Sequence, residues 1–435
     1  MSGAACVLPS FPGSEPPEWI RRFLADGGLG IVLFAYNVED LPALTAALRA
    51  ERGDVLLAVD EEGGDVTRLE WREGSSYPSA AALGALDDPG LTEEVAAAIA
   101  TDLAAAGVNW NFAPVADVNV PENPVIGVRA FGSDPALVAR HVAASVRGTQ
   151  RVGVAACAKH FPGHGSTAED SHLALPALVG PLEAGLEPFR AAVAAAVASI
   201  MTAHIKVGAD AATIDPAIVT GLLREELGYD GVVVADALEM KGLSARHDVA
   251  DAAVLALEAG CDALIVGHDL GEPEVRRIVE ALDTRVDPGR LAEAVARVER
   301  LAAVARPHAV DVDREAARGA ARRAVRVDGD VSFATAPRVV ELRPQANIAA
   351  GEAEHSLASE VVREGEPVPD ADVYVVRDVH RHGWMEKADR EGAVIVEIGL
   401  PVWRPRRARA HIATLGGGRA SLAAANELLS PRVPA

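Results

Sequence analysis

Eight successive pairings of a short apolar run with a helix-period segment predict a (β/α)8 TIM-type barrel, and four later strand-like runs predict a small α/β domain after it. Three observations carry this prediction. The first eight runs look apolar on both faces, as a parallel sheet covered by helices requires. Eight units fit within about 285 residues, which suits a closed barrel better than an open doubly wound sheet. The runs near 337–342, 372–377, 393–398 and 410–414 then form a second, smaller series.

In chain order, the strand at 6–11 is the weakest, because Pro9 and Pro12 crowd it, and a helix follows over 16–26. The strand at 30–34 leads to a helix over 40–51, that at 55–60 to 92–106, and that at 108–114 to 135–151. The runs 154–160, 199–205, 231–236 and 263–267 are followed by helical patterns at 182–196, 216–227, 247–259 and 272–284. PGRLAEAVARVERLAAV (288–304) reads as a closing helix, so the barrel is assigned to 1–305. The basic stretch DREAARGAARRAVRVDGDV reads as an exposed helix and linker over 306–330, and 331–435 as the small domain, which is assigned no chemistry. Within it TLGGGRASLAAANELL could cradle phosphate on a helix N-terminus. It lacks the Lys-Ser/Thr of a P-loop and reads as a tight strand-to-helix turn.

Composition limits the function. The 435 residues carry a formal net charge of −22, which argues against nucleic acid or an anionic membrane as the main partner. The opening MSGAACVLPSFPG has no basic segment followed by an apolar one, and no run is apolar for long enough to span a bilayer. Cys6, Cys157 and Cys261 are few, odd in number and set among apolar neighbours, as expected of free core thiols in a reducing cytoplasm.

A barrel places its active site at the C-terminal ends of the strands. There the sequence sets Asp60 with Arg68 beyond it, Asp117, Lys159 with His160, His204 and Asp236, on five successive strands. One acidic strand end is an ordinary helix cap or solvated loop; five polar ends on one rim make an active site. From the fifth strand hangs KHFPGHGSTAEDSHLALP, with three of the chain's 12 histidines: His160, His164 and His172. His160 and His164 are four apart, but Pro162, Gly163 and Gly165 make a shared helix face implausible. A loop could still gather metal ligands, so a metal centre stays open beside proton transfer and sugar binding.

DEEGGDVTRL, NFAPVADVN, RAFGSDP, KHFPGHGSTAEDSH, MTAH and ADALEM, in this order between residues 60 and 240, resemble glycoside hydrolase family 3, in its bacterial β-N-acetylglucosaminidase branch. KHFPGHG followed by D-S-H is the most specific of these pieces, and the last hundred residues match only loosely. The resemblance implies a retaining exo-glycosidase, with Asp236 as nucleophile, His172 as acid/base and Asp170 orienting His172. It sets Asp60, Arg68, Arg129, Lys159 and His160 on the hydroxyl and acetamido groups of the terminal sugar. His204 is counted with these binding residues and, like Asp117, acts from behind them; His164 holds the loop. Glu61 and Glu62, being adjacent, point apart and form no catalytic pair. Ala130 and Ala237 stand where relatives carry a serine and an aspartate, departures that alter pocket shape without removing a catalytic group.

The implied substrates are GlcNAc-terminated glycans, including peptidoglycan fragments and muropeptides, without metal or organic cofactor, nucleic acid or membrane. An imidazole acid/base would not repel a phosphate dianion as a carboxylate would, so phosphorolysis with inorganic phosphate as co-substrate is the alternative. A β-glucosidase and a catalytically silent sugar-binding protein are the remaining readings.

Overall fold

The apolar runs become short strands whose residues are all buried: β1 (Val7–Pro9), β2 (Gly30–Val32), β3 (Leu56–Val59), β4 (Trp110–Asn111), β5 (Ala155–Phe161) and β6 (Ser199–Thr202). A small antiparallel hairpin, β7 (Lys206–Val207) with β8 (Asp210–Ala211), precedes β9 (Val232–Ala235) and β10 (Ala263–Val266). The computed structural model describes residues 2–167, 171, 175–208, 210–267, 269–346, 351 and 355–431. The eight barrel strands pair in parallel in the order β1-β10-β9-β6-β5-β4-β3-β2. The ring closes where β1 packs on β2: Leu8 Cδ2 lies 2.3 Å from where a β-carbon on Gly30 would stand, so a larger residue there would displace the Leu8 side chain.

Helices cover the outside: α1 (Glu18–Ala25), α2 (Leu41–Glu51), α3 (Ala80–Leu86), α4 (Pro89–Ala105), α5 (Pro135–Arg151) and α6 (Leu182–Ala194). A π-helix at Ala217–Glu226, α7 (Lys241–Ser244), α8 (Val249–Ala259), α9 (Glu272–Arg285) and α10 (Pro288–Val304) complete the layer. One local device starts four of them. Asp40, Asp88, Asp134 and Asp287 each accept a first-turn N–H, with proline one or two residues later. Each such cap is worth about 1 kcal/mol, and proline there loses no helical hydrogen bond.

The two ends of the barrel carry different chemistry. At the N-terminal end Asp262 is fully buried, accepting from Arg290 at 2.7 Å, from Arg297 at 3.5 Å and from Arg224. This knot ties the π-helix and α10 to the base of β10 and marks the stability face. The opposite end carries the rim residues.

Beyond the barrel, α11 (Arg314–Ala324) packs on α4 and α3 and leads into a second sheet. Its strands are β11 (Arg326–Gly329), β12 (Val339–Leu342), β13 (Glu360–Val362), β14 (Val373–Val376), β15 (Val394–Glu397) and β16 (Ala410–Ala413), followed by α12 (Arg419–Leu429). The order is β11-β16-β15-β14-β12-β13, with only β11 antiparallel. Alternate residues face opposite sides. Tyr374, Val376 and Ile395 fill one core, whereas Val373, Val375, Val394 and Val396 meet Leu422 and Leu429 of α12 in the other. The segment expected to be a helical linker over 306–330 thus also supplies the edge strand β11, and the second sheet begins at Arg326. Every residue of β11 is exposed, so no apolar run announces it.

Candidate active site

β3 ends at Val59, and the next three residues open the rim. Asn111 on β4 fixes their backbone: its Oδ1 accepts from Glu61 N–H at 3.0 Å and its Nδ2 donates to the Glu61 carbonyl at 2.9 Å. The Glu61 side chain turns inward, where Oε2 accepts the N–H groups of Arg68 at 2.8 Å and Leu69 at 3.0 Å. Burial pushes its carboxyl up to about 7 against the pull of these hydrogen bonds, which let Glu61 organise the loop. It also holds Arg68 near Asp60, with Nη2 3.6 Å from Oδ2.

Asp60 and Glu62 are two residues apart and meet the same ammonium. Lys159, on β5 and only 2% exposed, places Nζ 2.7 Å from Asp60 Oδ1 and 2.7 Å from Glu62 Oε1. Behind it Arg129 forks onto Glu62, with Nε at 2.9 Å and Nη2 at 2.8 Å, while Nη1 donates to Val125 O at 3.2 Å. Burial opposes every one of these charges, yet their mutual attraction wins. Glu62 and Asp60 are held below the usual carboxylate range by Arg129, Lys159 and Arg68, and Lys159 is held above the usual ammonium value. Such a network keeps its charges at any pH near neutrality and presents fixed donors and acceptors to hydroxyl groups.

Next on β5, His160 joins a second network. Its Nδ1 donates to Asp117 Oδ2 at 2.8 Å, and Asp117 Oδ1 accepts the His164 N–H at 2.6 Å. Asp117 is fully buried; His160 and the His164 N–H outweigh burial and keep it ionised. His164 turns into the loop. Thr167 gives its hydroxyl proton to the His164 carbonyl at 3.0 Å, so Nδ1 donates to that hydroxyl at 2.8 Å and Nε2 accepts from Ser171 at 2.8 Å. Burial lowers the imidazole to about 4, which keeps it neutral and leaves Nε2 an acceptor. The Ser171 carbonyl in turn accepts Gly242 N–H at 3.0 Å, so one residue joins the β5 loop to the turn after β9. Asp170 and His172, on either side of it, lie outside the described residues.

Asp236 stands just past β9, half-buried, its Oδ1 accepting the N–H of Ala237 at 2.8 Å. His204 braces that peptide from behind: Nε2 donates to Ala237 O at 3.0 Å and Nδ1 meets Thr213 Oγ1 at 2.9 Å. With no exposed surface, His204 stands behind the Asp236–Ala237 turn rather than on the open face of the rim. Arg129 is engaged chiefly as the partner of Glu62, whose place in this network its adjacency to Glu61 does not announce. The i, i+2 spacing puts Glu62 on the same face as Asp60 without naming its partners. Among the described residues no group of three or more His, Cys, Asp and Glu side chains is placed to hold a metal ion, and no helix is long and apolar enough to cross a membrane.

Of the acids at the strand ends, Asp60 and Glu62 are matched to Lys159 and Asp117 to His160, while Glu61 is turned inward onto backbone N–H groups. Asp236 has no such partner among the described residues, and its Oδ2 accepts no hydrogen bond there. Among the described residues, its second oxygen is left open to the rim.

Comparison with known proteins identifies the family of the barrel. Residues 11–304 match the family described as "Glycosyl hydrolase family 3 N terminal domain". A "Beta-hexosaminidase" of Methylococcus capsulatus is 39% identical over 286 residues, 62% of this chain and 84% of that protein. A glycoside hydrolase family 3 β-N-acetylglucosaminidase from Paenibacillus superposes with a TM-score of 0.84 at 28% identity, covering 98% of this chain and 95% of the other. NagZ from Neisseria gonorrhoeae, solved in complex with N-trifluoroacetyl-D-glucosamine, gives a TM-score of 0.59 at 31% identity over 68% of this chain and 89% of its own.

Proposed function

The chain belongs to glycosyl hydrolase family 3, and we propose that this β-N-acetylhexosaminidase releases terminal GlcNAc from chito-oligosaccharide or peptidoglycan-type fragments with retention of configuration. The observation that carries the mechanism is the carboxylate of Asp236 at the end of β9, which has no cation or imidazole partner among the described residues.

In the proposed first step an Asp236 oxygen attacks the anomeric carbon as the bond to the leaving oxygen breaks, and that oxygen takes a proton from His172. The product is a glycosyl ester of Asp236. In the second step water adds to the same carbon, His172 recovers a proton from it, and the Asp236 carboxylate leaves. Asp170 would keep the His172 ring in one tautomer. Asp60, Arg68, Lys159 and His160 would hold the sugar hydroxyl and acetamido groups, with Glu62, Arg129 and Asp117 fixing those side chains. Such rigidity favours catalysis because the binding groups need no reorganisation in the transition state. Free, buried Cys6, Cys157 and Cys261 fit the reducing cytoplasm as the place of action.

The test is the product formed from p-nitrophenyl β-N-acetylglucosaminide with and without phosphate, followed by mass and phosphorus NMR. Free GlcNAc under both conditions supports hydrolysis. Phosphate-dependent GlcNAc 1-phosphate would replace it with phosphorolysis on the same residues, and absence of cleavage would overturn the catalytic reading.

A further inference from the structure

The Gly-rich turn of the small domain has an occupant, and it comes from the barrel. Gly417, between β16 and α12, donates its N–H to Asp65 Oδ1 at 2.6 Å, and Arg377, one residue past β14, pairs with Asp65 Oδ2. A glycine turn opening a helix at the carboxyl edge of a parallel sheet is a natural place for an anion. Here the anion is the Asp65 carboxylate. Burial opposes the Arg377 charge, but Asp65 raises its affinity for the proton above the ordinary guanidinium value.

Asp65 lies three residues from Glu62. Between them the chain makes a tight turn, with Glu62 N–H donating to Val66 O at 3.0 Å. Gly63 and Gly64 in that turn have φ of 82° and 60°, a conformation glycine adopts without cost and one in which it supplies no side chain to hold the loop. The support comes from the small domain. A β-carbon on Gly418 would stand 2.7 Å from the Gly64 carbonyl, Ala420 N–H donates to Ser75 O at 3.1 Å, and the Ser79 hydroxyl donates to Leu415 O. One end of this turn is thus fixed by Arg377 and the other by Lys159 and Arg129.

We infer that Arg377 is a positioning residue for substrate binding: by holding Asp65 it keeps Asp60, Glu62 and hence Lys159 in register, without itself touching sugar. The inference rests on the proposed activity and gives the small domain a part in it.

The test uses the full chain. kcat and KM for p-nitrophenyl β-N-acetylglucosaminide, GlcNAc affinity by calorimetry and the melting temperature are measured for the wild type, Arg377→Met, Arg377→Lys and Asp65→Asn. Arg377→Met is expected to raise KM and weaken GlcNAc about tenfold, because a small misplacement of binding groups costs one to two orders of magnitude, with kcat changed less than about threefold. Arg377→Lys restores most of the affinity. Asp65→Asn keeps an acceptor for Gly417 while losing the charge; it behaves like Arg377→Met and serves if that variant does not fold. Wild-type KM in a folded Arg377→Met or Asp65→Asn protein overturns the inference while leaving the activity standing. So does a loss in kcat alone, or one that only tracks melting temperature. A wild type inactive on this substrate overturns both.

Discussion

Lys159 Nζ stands 2.7 Å from Asp60 Oδ1, joining the ends of β5 and β3 through an ammonium that is almost wholly withdrawn from water. The same ammonium contacts Glu62, so its removal leaves two acids without their shared cation. Lys159→Met is therefore expected to cost about 3–5 kcal/mol of stability, measured by urea unfolding, together with a large rise in KM. A loss below about 1 kcal/mol would mean that the pair is solvated like a surface salt bridge.

His172→Ala should slow turnover by roughly 10²–10⁴-fold, with the largest effect on substrates whose leaving groups are poor. The measurement is kcat/KM across aryl leaving groups of graded acidity, at several pH values. An unchanged leaving-group dependence and pH profile would remove His172 from the acid/base role.

The His164 ring is lowered to about 4, chiefly by burial, against an ordinary value of 6.5. Between those two pH values the unfolded chain binds more protons there than the folded one, so stability is lost as pH falls through that window. Protonation would also cancel the acceptor that holds Ser171. His164→Gln is expected to flatten the fall in melting temperature between pH 6.5 and 4. An identical slope in wild type and variant would place the acid sensitivity elsewhere.

Glu397, fully buried at the end of β15, carries the opposite sign. Burial first, and then the neighbouring Asp378, push its carboxyl from 4.5 up to about 8. Its stabilising protonated state is complete below pH 4.5 and is lost as pH rises through about 8. Glu397→Gln should remove that decline, so its melting temperature gains on that of the wild type as pH rises from 4.5 to about 8 and gains no further above it. Parallel curves would contradict the assignment.

The barrel was legible because burial on both faces writes a parallel strand as a continuous apolar run, and even β1 with Pro9 survives as an edge-like stretch of three residues. The rim was legible because each strand end breaks that run with a polar residue. Partnerships across strands were not. Nothing in local spacing ties Glu62 to Lys159 and Arg129, or turns His204 inward to brace Ala237. The Asp65–Arg377 contact joins residues 312 apart. β11 is exposed throughout and β13 buries only Val362, so neither writes an apolar run.

The most direct test of the account is to trap the covalent intermediate. The protein is quenched in acid during turnover of a slow, fluorine-activated N-acetylglucosaminyl substrate, digested and mapped by mass spectrometry. The account predicts one N-acetylhexosaminyl residue on the peptide containing Asp236, and none on an Asp236→Asn protein. A label on another acid, or rapid turnover by the Asp236→Asn protein, would contradict it.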